Sequence, residues 1–215
     1  MPAPPPLDPT RIVELETPPG TARVHLHLAD RPGGGLALGH GAGGGVGASD
    51  LVAVTRAALS VGVSVALVEQ PYRVAGRRSP APAHQLDAAW TAVLAQLRED
   101  ALHGLALIAG GRSAGARVAC RTAAEVGAAG VLCLAFPLHP PGRANDPSKS
   151  RLPELDAVRV PALVIQGESD SFGMPPGRRA SPVRTVVRVP GNHSLRSTAP
   201  VAGAAAEWLS RIIGR

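Results

Sequence analysis

Three side chains in this sequence are of the types that together attack a carbonyl: Ser113, Asp170 and His193. Ser113 sits in Gly111-Arg112-Ser113-Ala114-Gly115, directly after the mostly apolar run Leu105 to Ala109. Glycines around a serine make room for a sharp strand-to-helix turn that presents the hydroxyl. A serine hydroxyl is a weak nucleophile alone. It needs a base to take its proton and an acidic group to orient that base. His193 closes Pro190-Gly191-Asn192-His193, after Val183 to Val189, which reads as the last strand. Asp170 closes Gln166-Gly167-Glu168-Ser169-Asp170, after the apolar stretch Ala162 to Ile165. With 25 glycines in the chain, a Gly-x-Ser-x-Gly match is weak by itself. Its weight comes from the strand before it, the helix pattern after it, and the two partners on other strand-end loops.

The elements that must position these groups can be read from hydrophobic periodicity. Val13 and Leu15 alternate with Glu14 and Glu16, and Thr17-Pro18-Pro19-Gly20 is a turn signal. Val24, Leu26 and Leu28 then alternate with Arg23, His25 and His27. This predicts an antiparallel hairpin with one wet face, His25 and His27 facing solvent. Leu36 to Leu38 is a short buried strand that runs into a glycine-rich loop, Gly39 to Gly45. Ser49 or Asp50 caps a helix carrying Leu51, Val54, Ala58 and Leu59. Val63 to Val68 is apolar apart from Ser64, as in a strand covered on both faces. A Pro- and Arg-rich loop follows it to about Ala83, and Leu86, Trp90, Val93, Leu94 and Leu97 then share a helical face. Val131 to Phe136 is another buried strand. The Pro-interrupted stretch up to Val160 holds at most a short helix near Leu152 to Ala157, too little for a large lid. Val201, Ala205, Trp208 and Ile212 line a closing helix. The alternation implies an α/β fold: a mostly parallel eight-stranded sheet with helices on both faces and an N-terminal antiparallel hairpin. Residues 1–10 read as a Pro-rich flexible arm and 11–215 as one domain.

Composition excludes several function classes. The 215 residues suit one core, and with aromatics at 2% that core must be built from Ala, Val, Leu and Ile. The net charge of +6 comes almost wholly from arginine, with Lys149 the single lysine. The arginines are scattered and lack an aromatic stacking platform, which argues against nucleic acid as a partner. Cys120 and Cys133 read as buried thiols, and no Cys/His cluster has zinc spacing. The first residues lack a basic start and an apolar run, so they are not a signal peptide. There is no apolar stretch of about 18 residues, so no membrane span is expected and the cytoplasm is the default location.

The motifs now carry a resemblance. His40-Gly41-Ala42-Gly43-Gly44, the Ser113 turn, Phe136-Pro137-Leu138-His139-Pro140-Pro141, the Gln166 to Asp170 segment and Gly191-Asn192-His193 resemble those of small α/β-hydrolases. Within them the chain is similar to the dienelactone-hydrolase-like group, and there to hydrolases related to the testis-expressed protein 30 and NSL-complex-subunit-3 proteins. The resemblance implies Ser113 as nucleophile, His193 as base and Asp170, rather than Glu168, as acid. It also implies an oxyanion hole made by the Ala42 and Ala114 N–H groups. The chain order Ser, Asp, His agrees. Dienelactone hydrolases proper carry cysteine at the Ser113 position, so their substrate does not carry over. The expected activity is that of a serine esterase on small or polar esters or thioesters, without metal or cofactor.

Other readings remain open at this level. Gly39-x-Gly41-x-x-Gly44 follows a strand and precedes a helix, with Glu69 ending the next strand. That outline suits a dinucleotide site, although Glu69 comes later than the usual spacing of about 20 residues. A scaffold that binds a partner protein on the same fold is the second alternative. Perhydrolysis uses the same triad. His40 is expected to brace its loop. Tyr72, Phe136 and Phe172 follow strand ends and are candidate pocket walls. His139 is a candidate substrate contact. Arg112 either meets a substrate carboxylate or points to solvent.

Overall fold

The protein was analysed as a computed structural model that describes residues 7–143, 146–180 and 182–214. Most of the Pro-rich arm, residues 1–6, lies outside them.

Side-chain alternation builds the first two strands. β1 (Arg11–Thr17) and β2 (Gly20–His27) pair antiparallel around Pro18-Pro19, with Glu14 opposite Arg23. Gly20 closes the turn at φ +128°, a conformation that side chains disfavour. β3 (Gly34–Gly39), β4 (Val63–Glu69), β5 (Leu107–Arg112), β6 (Gly130–Leu134), β7 (Ala162–Gly167) and β8 (Arg184–Val189) complete the sheet. Their order is β1-β2-β4-β3-β5-β6-β7-β8. β2 meets β4 antiparallel, and every pairing from β4 to β8 is parallel. This is the eight-stranded, mostly parallel sheet expected.

Six α-helices are present among the described residues, α1 (Ser49–Ser60), α2 (Pro71–Val74), α3 (Ala83–Glu99), α4 (Ala114–Thr122), α5 (Leu152–Asp156) and α6 (Thr198–Ile213), together with a single 3-10 turn at Pro147–Lys149. Strand residues two apart share a face, so the sheet divides its side chains between two cores. Leu36, Leu38, Val65, Leu67 and Ile108 pack with Leu51 and Val54 of α1 and Val201 and Trp208 of α6. Ala37, Ala66, Ala109 and Val164 pack with Trp90, Leu94 and Leu97 of α3 and Val118 of α4. The small alanines on this second face leave room for Trp90, which is fully buried. α2 was not expected. Pro71 at its first turn starts it, since proline's missing N–H costs nothing there.

Two features of the hairpin differ from expectation. His27 is buried, and His25 is half-buried with its Nε2 enclosed and without a hydrogen bond. Their face is the one that carries Val65 and Leu67, and it is not wet. Thr10 N donates to Leu26 O and Leu28 N to Thr10 Oγ1, which lays the segment from Leu7 to Pro9 across both histidines. Leu28, expected inside, is exposed.

Arginines also act as ties. Arg117 holds Glu154 at 2.6 Å, and Arg121 holds Asp87 at 2.6 Å. These pairs fasten α5 and α3 to α4. The short α5 is thereby committed to α4 and does not fold over the C-terminal ends of the strands. Among the described residues no large lid is present.

Candidate active site

β5 ends at Arg112 and α4 begins at Ala114, so the whole reversal falls on Ser113. Its backbone sits at φ +52°, ψ −107°, which is strained for a residue with a Cβ. Close packing forces this. A Cβ on Gly111 would lie 2.6 Å from Gly39 O, and one on Gly115 would overlap the Gly39 carbonyl as well. The glycines of the motif therefore let α4 and the end of β3 touch backbone to backbone. Ser113 N donates to Leu134 O at 2.9 Å and pins the turn to β6.

Asp170 and His193 hang from the loops after β7 and β8. Those loops are locked together: Ser169 N and Oγ both donate to Gly191 O at 3.0 Å. A Cβ on Gly167 would lie 2.6 Å from that same oxygen. The outcome is a continuous relay. His193 Nε2 lies 3.0 Å from Ser113 Oγ, and His193 Nδ1 lies 2.8 Å from Asp170 Oδ2. A carboxylate only accepts, so Nδ1 carries the proton and Nε2 is free to take one from the serine. The Asp170 side chain is fully buried, yet well served. Oδ2 also accepts from Gln166 Nε2 at 2.8 Å, and Oδ1 accepts from Phe172 N at 2.9 Å. Glu168, the rival carboxylate, is exposed.

The glycine-rich loop faces the serine from β3. His40 Nε2 accepts from Gln70 N at 3.1 Å, so Nδ1 holds the proton and donates to Gly41 O at 2.8 Å. Gly44 N donates to the same oxygen at 3.1 Å. A trans peptide points its C=O and N–H in opposite directions. Holding Gly41 O on one side therefore turns the Ala42 N–H to the other. The Tyr72 hydroxyl donates to Ala42 O at 3.0 Å and fixes the next peptide. Ala114, first residue of α4, has an N–H without an intrahelical acceptor. Burial lowers the pKa of His40, which keeps the ring neutral as both of its bonds require.

A family model described as an alpha/beta hydrolase domain matches residues 34–211, most of the chain and every residue of this relay. The chain belongs to the α/β-hydrolase family. Among solved structures, this hydrolase is similar to a Xanthomonas campestris protein described as an a/b serine hydrolase without lid. That match has a TM-score of 0.70 and 22% identity, covering 96% of this chain and 97% of the other. It is also similar to Est1E from Butyrivibrio proteoclasticus, at a TM-score of 0.75 and 13% identity over 95% and 99% of the two chains. An esterase from Pyrobaculum calidifontis matches at 0.64 and 16%, over 96% and 84%. No curated protein matches the chain.

The remaining sequence-predicted residues of this α/β hydrolase scatter in their surroundings. Phe172 is at the site, its ring centroid 4.3 Å from that of His193. Tyr72 is buried and reaches the site through its hydroxyl. Phe136 is a correction: it is fully buried in the α3/α4 core and forms no pocket wall. β6 ends at Leu134, but Ala135 to Leu138 are still buried, so the chain has not left the core when it reaches the ring. His139, on the segment after β6, lies against the Asp170 loop, its backbone N–H donating to Phe172 O at 2.9 Å. Arg112 fits neither expectation for it. Its Nε donates to Asp50 Oδ2 at 2.9 Å and its Nη2 to His193 O at 3.0 Å. Glu69 does not face the glycine loop. It lies 3.8 Å from Arg23 and 3.9 Å from His25, across β2. Among the described residues no group of three or more His, Cys, Asp or Glu could hold a metal ion. No helix there is long and apolar enough to cross a membrane. Cys120 and Cys133 are free, buried thiols with their Sγ atoms 3.5 Å apart.

Sequence reasoning missed two supports. Gln166 ties the acid loop by donating to Phe136 O, Asp170 Oδ2 and Gly173 O. Its place at a strand end beside the acid was the available signal. Asp50, read only as a helix cap, is instead the buried anchor of Arg112. α1 begins at Ser49 with no side-chain cap, and nothing local links Asp50 to a residue 62 positions away.

Proposed function

We propose that this protein is a serine hydrolase acting on small or polar carboxylic esters or thioesters. The observation that carries the reading is the unbroken relay Ser113–His193–Asp170, with distances of 3.0 and 2.8 Å. Ser113 Oγ attacks the carbonyl carbon while His193 Nε2 takes its proton. Asp170 holds the imidazole tautomer and stabilises the imidazolium. The Ala42 and Ala114 N–H groups receive the oxyanion, each contributing about 3 kcal/mol in comparable sites. His193 passes the proton to the departing alcohol or thiol. Water, activated by His193, then adds to the acyl carbon and releases the acid and Ser113. Phe172 flanks the base, with His139 on the segment after β6 and Tyr72 on α2. The family match and esterase-like neighbours support hydrolysis, and the want of a large lid supports short substrates. The likeness to the dienelactone-hydrolase-like group belongs to the same reading, as does work in the cytoplasm.

The test is labelling by a fluorophosphonate probe, followed by p-nitrophenyl ester kinetics. Labelling is expected in the native protein and absent in Ser113→Ala. Acetate and butyrate esters should be cleaved faster than long-chain esters. A folded native protein that takes no label would refute the hydrolase and favour a protein-binding scaffold. A preference for long chains would refute the substrate class alone.

A further inference from the structure

The turn that carries the acid also lays a ring on the base. Gly173 N donates to Asp170 O at 3.1 Å and closes the turn, with Gly173 at φ +96°. Phe172 lies inside it, and its backbone is held on both sides. Its N–H donates to Asp170 Oδ1 at 2.9 Å, and its carbonyl accepts from the His139 N–H at 2.9 Å. The Phe172 ring centroid is 4.3 Å from that of His193, with the two planes at 37°. Both nitrogens of His193 are engaged in the plane of its ring, Nδ1 with Asp170 and Nε2 with Ser113. What remains of the imidazole is its faces, and Phe172 packs against one of them. While His193 is neutral, this contact is ordinary aromatic packing. When the Ser113 proton moves to Nε2, the imidazole gains a positive charge spread over its ring. The separation is inside the range of about 6 Å over which an aromatic face attracts a cation.

We propose that Phe172 is a positioning residue, whose ring holds His193 in the relay and stabilises its imidazolium during acyl transfer. This rests on the serine-hydrolase reading. The attraction exists only once the base is charged, so it lowers the barrier and leaves substrate binding alone. It serves both halves of the reaction, because His193 is protonated while the acyl-enzyme forms and again while it breaks down. A pocket wall would behave differently: it would act through KM and vary with the acyl chain.

Site-specific replacement of Phe172 by 4-fluoro-, 3,5-difluoro- and 3,4,5-trifluorophenylalanine tests it, with Phe136 left native. Each fluorine draws charge from the ring face at nearly constant shape. Fluorophosphonate labelling of the full-length native protein first counts active Ser113. Along the series, kcat on p-nitrophenyl acetate and butyrate should fall stepwise, reaching about three- to tenfold with the third fluorine. The factor should be the same for both esters, with KM unmoved, and the rate of fluorophosphonate labelling should fall in step. Phe172→Leu keeps the backbone bond to Asp170 but has no aromatic face, and should lose about three- to thirtyfold in kcat. The fluorinated rings preserve the packing, so the series decides the matter even where Phe172→Leu fails to fold. A native protein that labels and turns over, with a flat series or with changes confined to KM or to one ester, would overturn this role and leave the hydrolase standing. A folded native protein that takes no label would overturn both.

Discussion

Arg112→Met removes the guanidinium that joins the elbow, the helix after the glycine loop and the base loop. Asp50 is 1% exposed in its side chain and Arg112 18%, with 2.9 Å between Nε and Oδ2. Burial raises the pKa of Asp50, and Arg112 pulls it back down. Without Arg112 burial acts almost alone on the carboxyl, opposed mainly by the Leu51 N–H at 2.9 Å. Stranding one member of a buried pair costs about 3–5 kcal/mol, and that is the loss expected at pH 8. The sign of the pH dependence follows from the direction of the shift. A carboxyl raised in the folded state adds stability below its unfolded value of 3.8, lost as pH rises through the folded value. The deficit of Arg112→Met against the native protein should therefore grow with pH, by at most about 1.4 kcal/mol per unit. Asp50→Asn removes the charge instead and leaves a partly exposed Arg112, at about 1–2 kcal/mol. The double variant should be less damaged than the sum of the two. Urea unfolding from pH 5 to 8, with m-values compared, measures all of this. A deficit under about 0.5 kcal/mol at pH 8, or one that is the same at pH 5 and pH 8, would refute the reasoning.

Further outcomes are expected. Asp170→Asn should lower kcat about 10⁴-fold with little change in KM, as the His193 tautomer is lost; a loss under tenfold in ester kinetics would remove Asp170 from the relay. Gly115→Ala should cost about 1–3 kcal/mol or more, because the new Cβ meets the Gly39 backbone, which has nowhere to go. Gly43→Ala, with nothing within 4 Å, should stay within about 0.5 kcal/mol by thermal melting. The pKa values of His25, His27 and His40 are all lowered, by burial first. Groups kept neutral in the fold but charged when unfolded take stability away as pH falls below 6.5, so unfolding free energy should drop from there into acid. His27→Gln should flatten that slope.

The elements were readable where a pattern is local. Leu36 and Leu38 against Ala37, or Leu86, Trp90 and Leu97 along one helix, announce their faces by period alone. The elbow was readable because its glycines answer a steric demand within five residues. His25 and His27 show the limit of that method. Alternation assigned them a face correctly, but not what covers the face, and the cover comes from the segment before β1. Phe136 failed similarly: a strand-end position does not say how far the chain runs before it leaves the core.

Residue order and strand-end placement named Ser113 and His193 from the chain and narrowed the acid to Glu168 or Asp170, which the family resemblance decided, because a parallel sheet sends its strand-end loops to one side whatever their sequence. Their contact distances depend on pairings among β5, β7 and β8 that no local pattern encodes. The same is true of the parts that hold them. Arg112 looked like a free cation until Asp50 and the His193 carbonyl arrived from elements 62 and 81 positions away. The glycine loop kept a dinucleotide site as an alternative in the sequence, and in the fold Gly111 and Gly115 pack on Gly39 at its start. Local sterics wrote the turn into the sequence. Long-range packing alone decided what the turn faces, since charge pairing and backbone contact act between residues that only the closed sheet brings together.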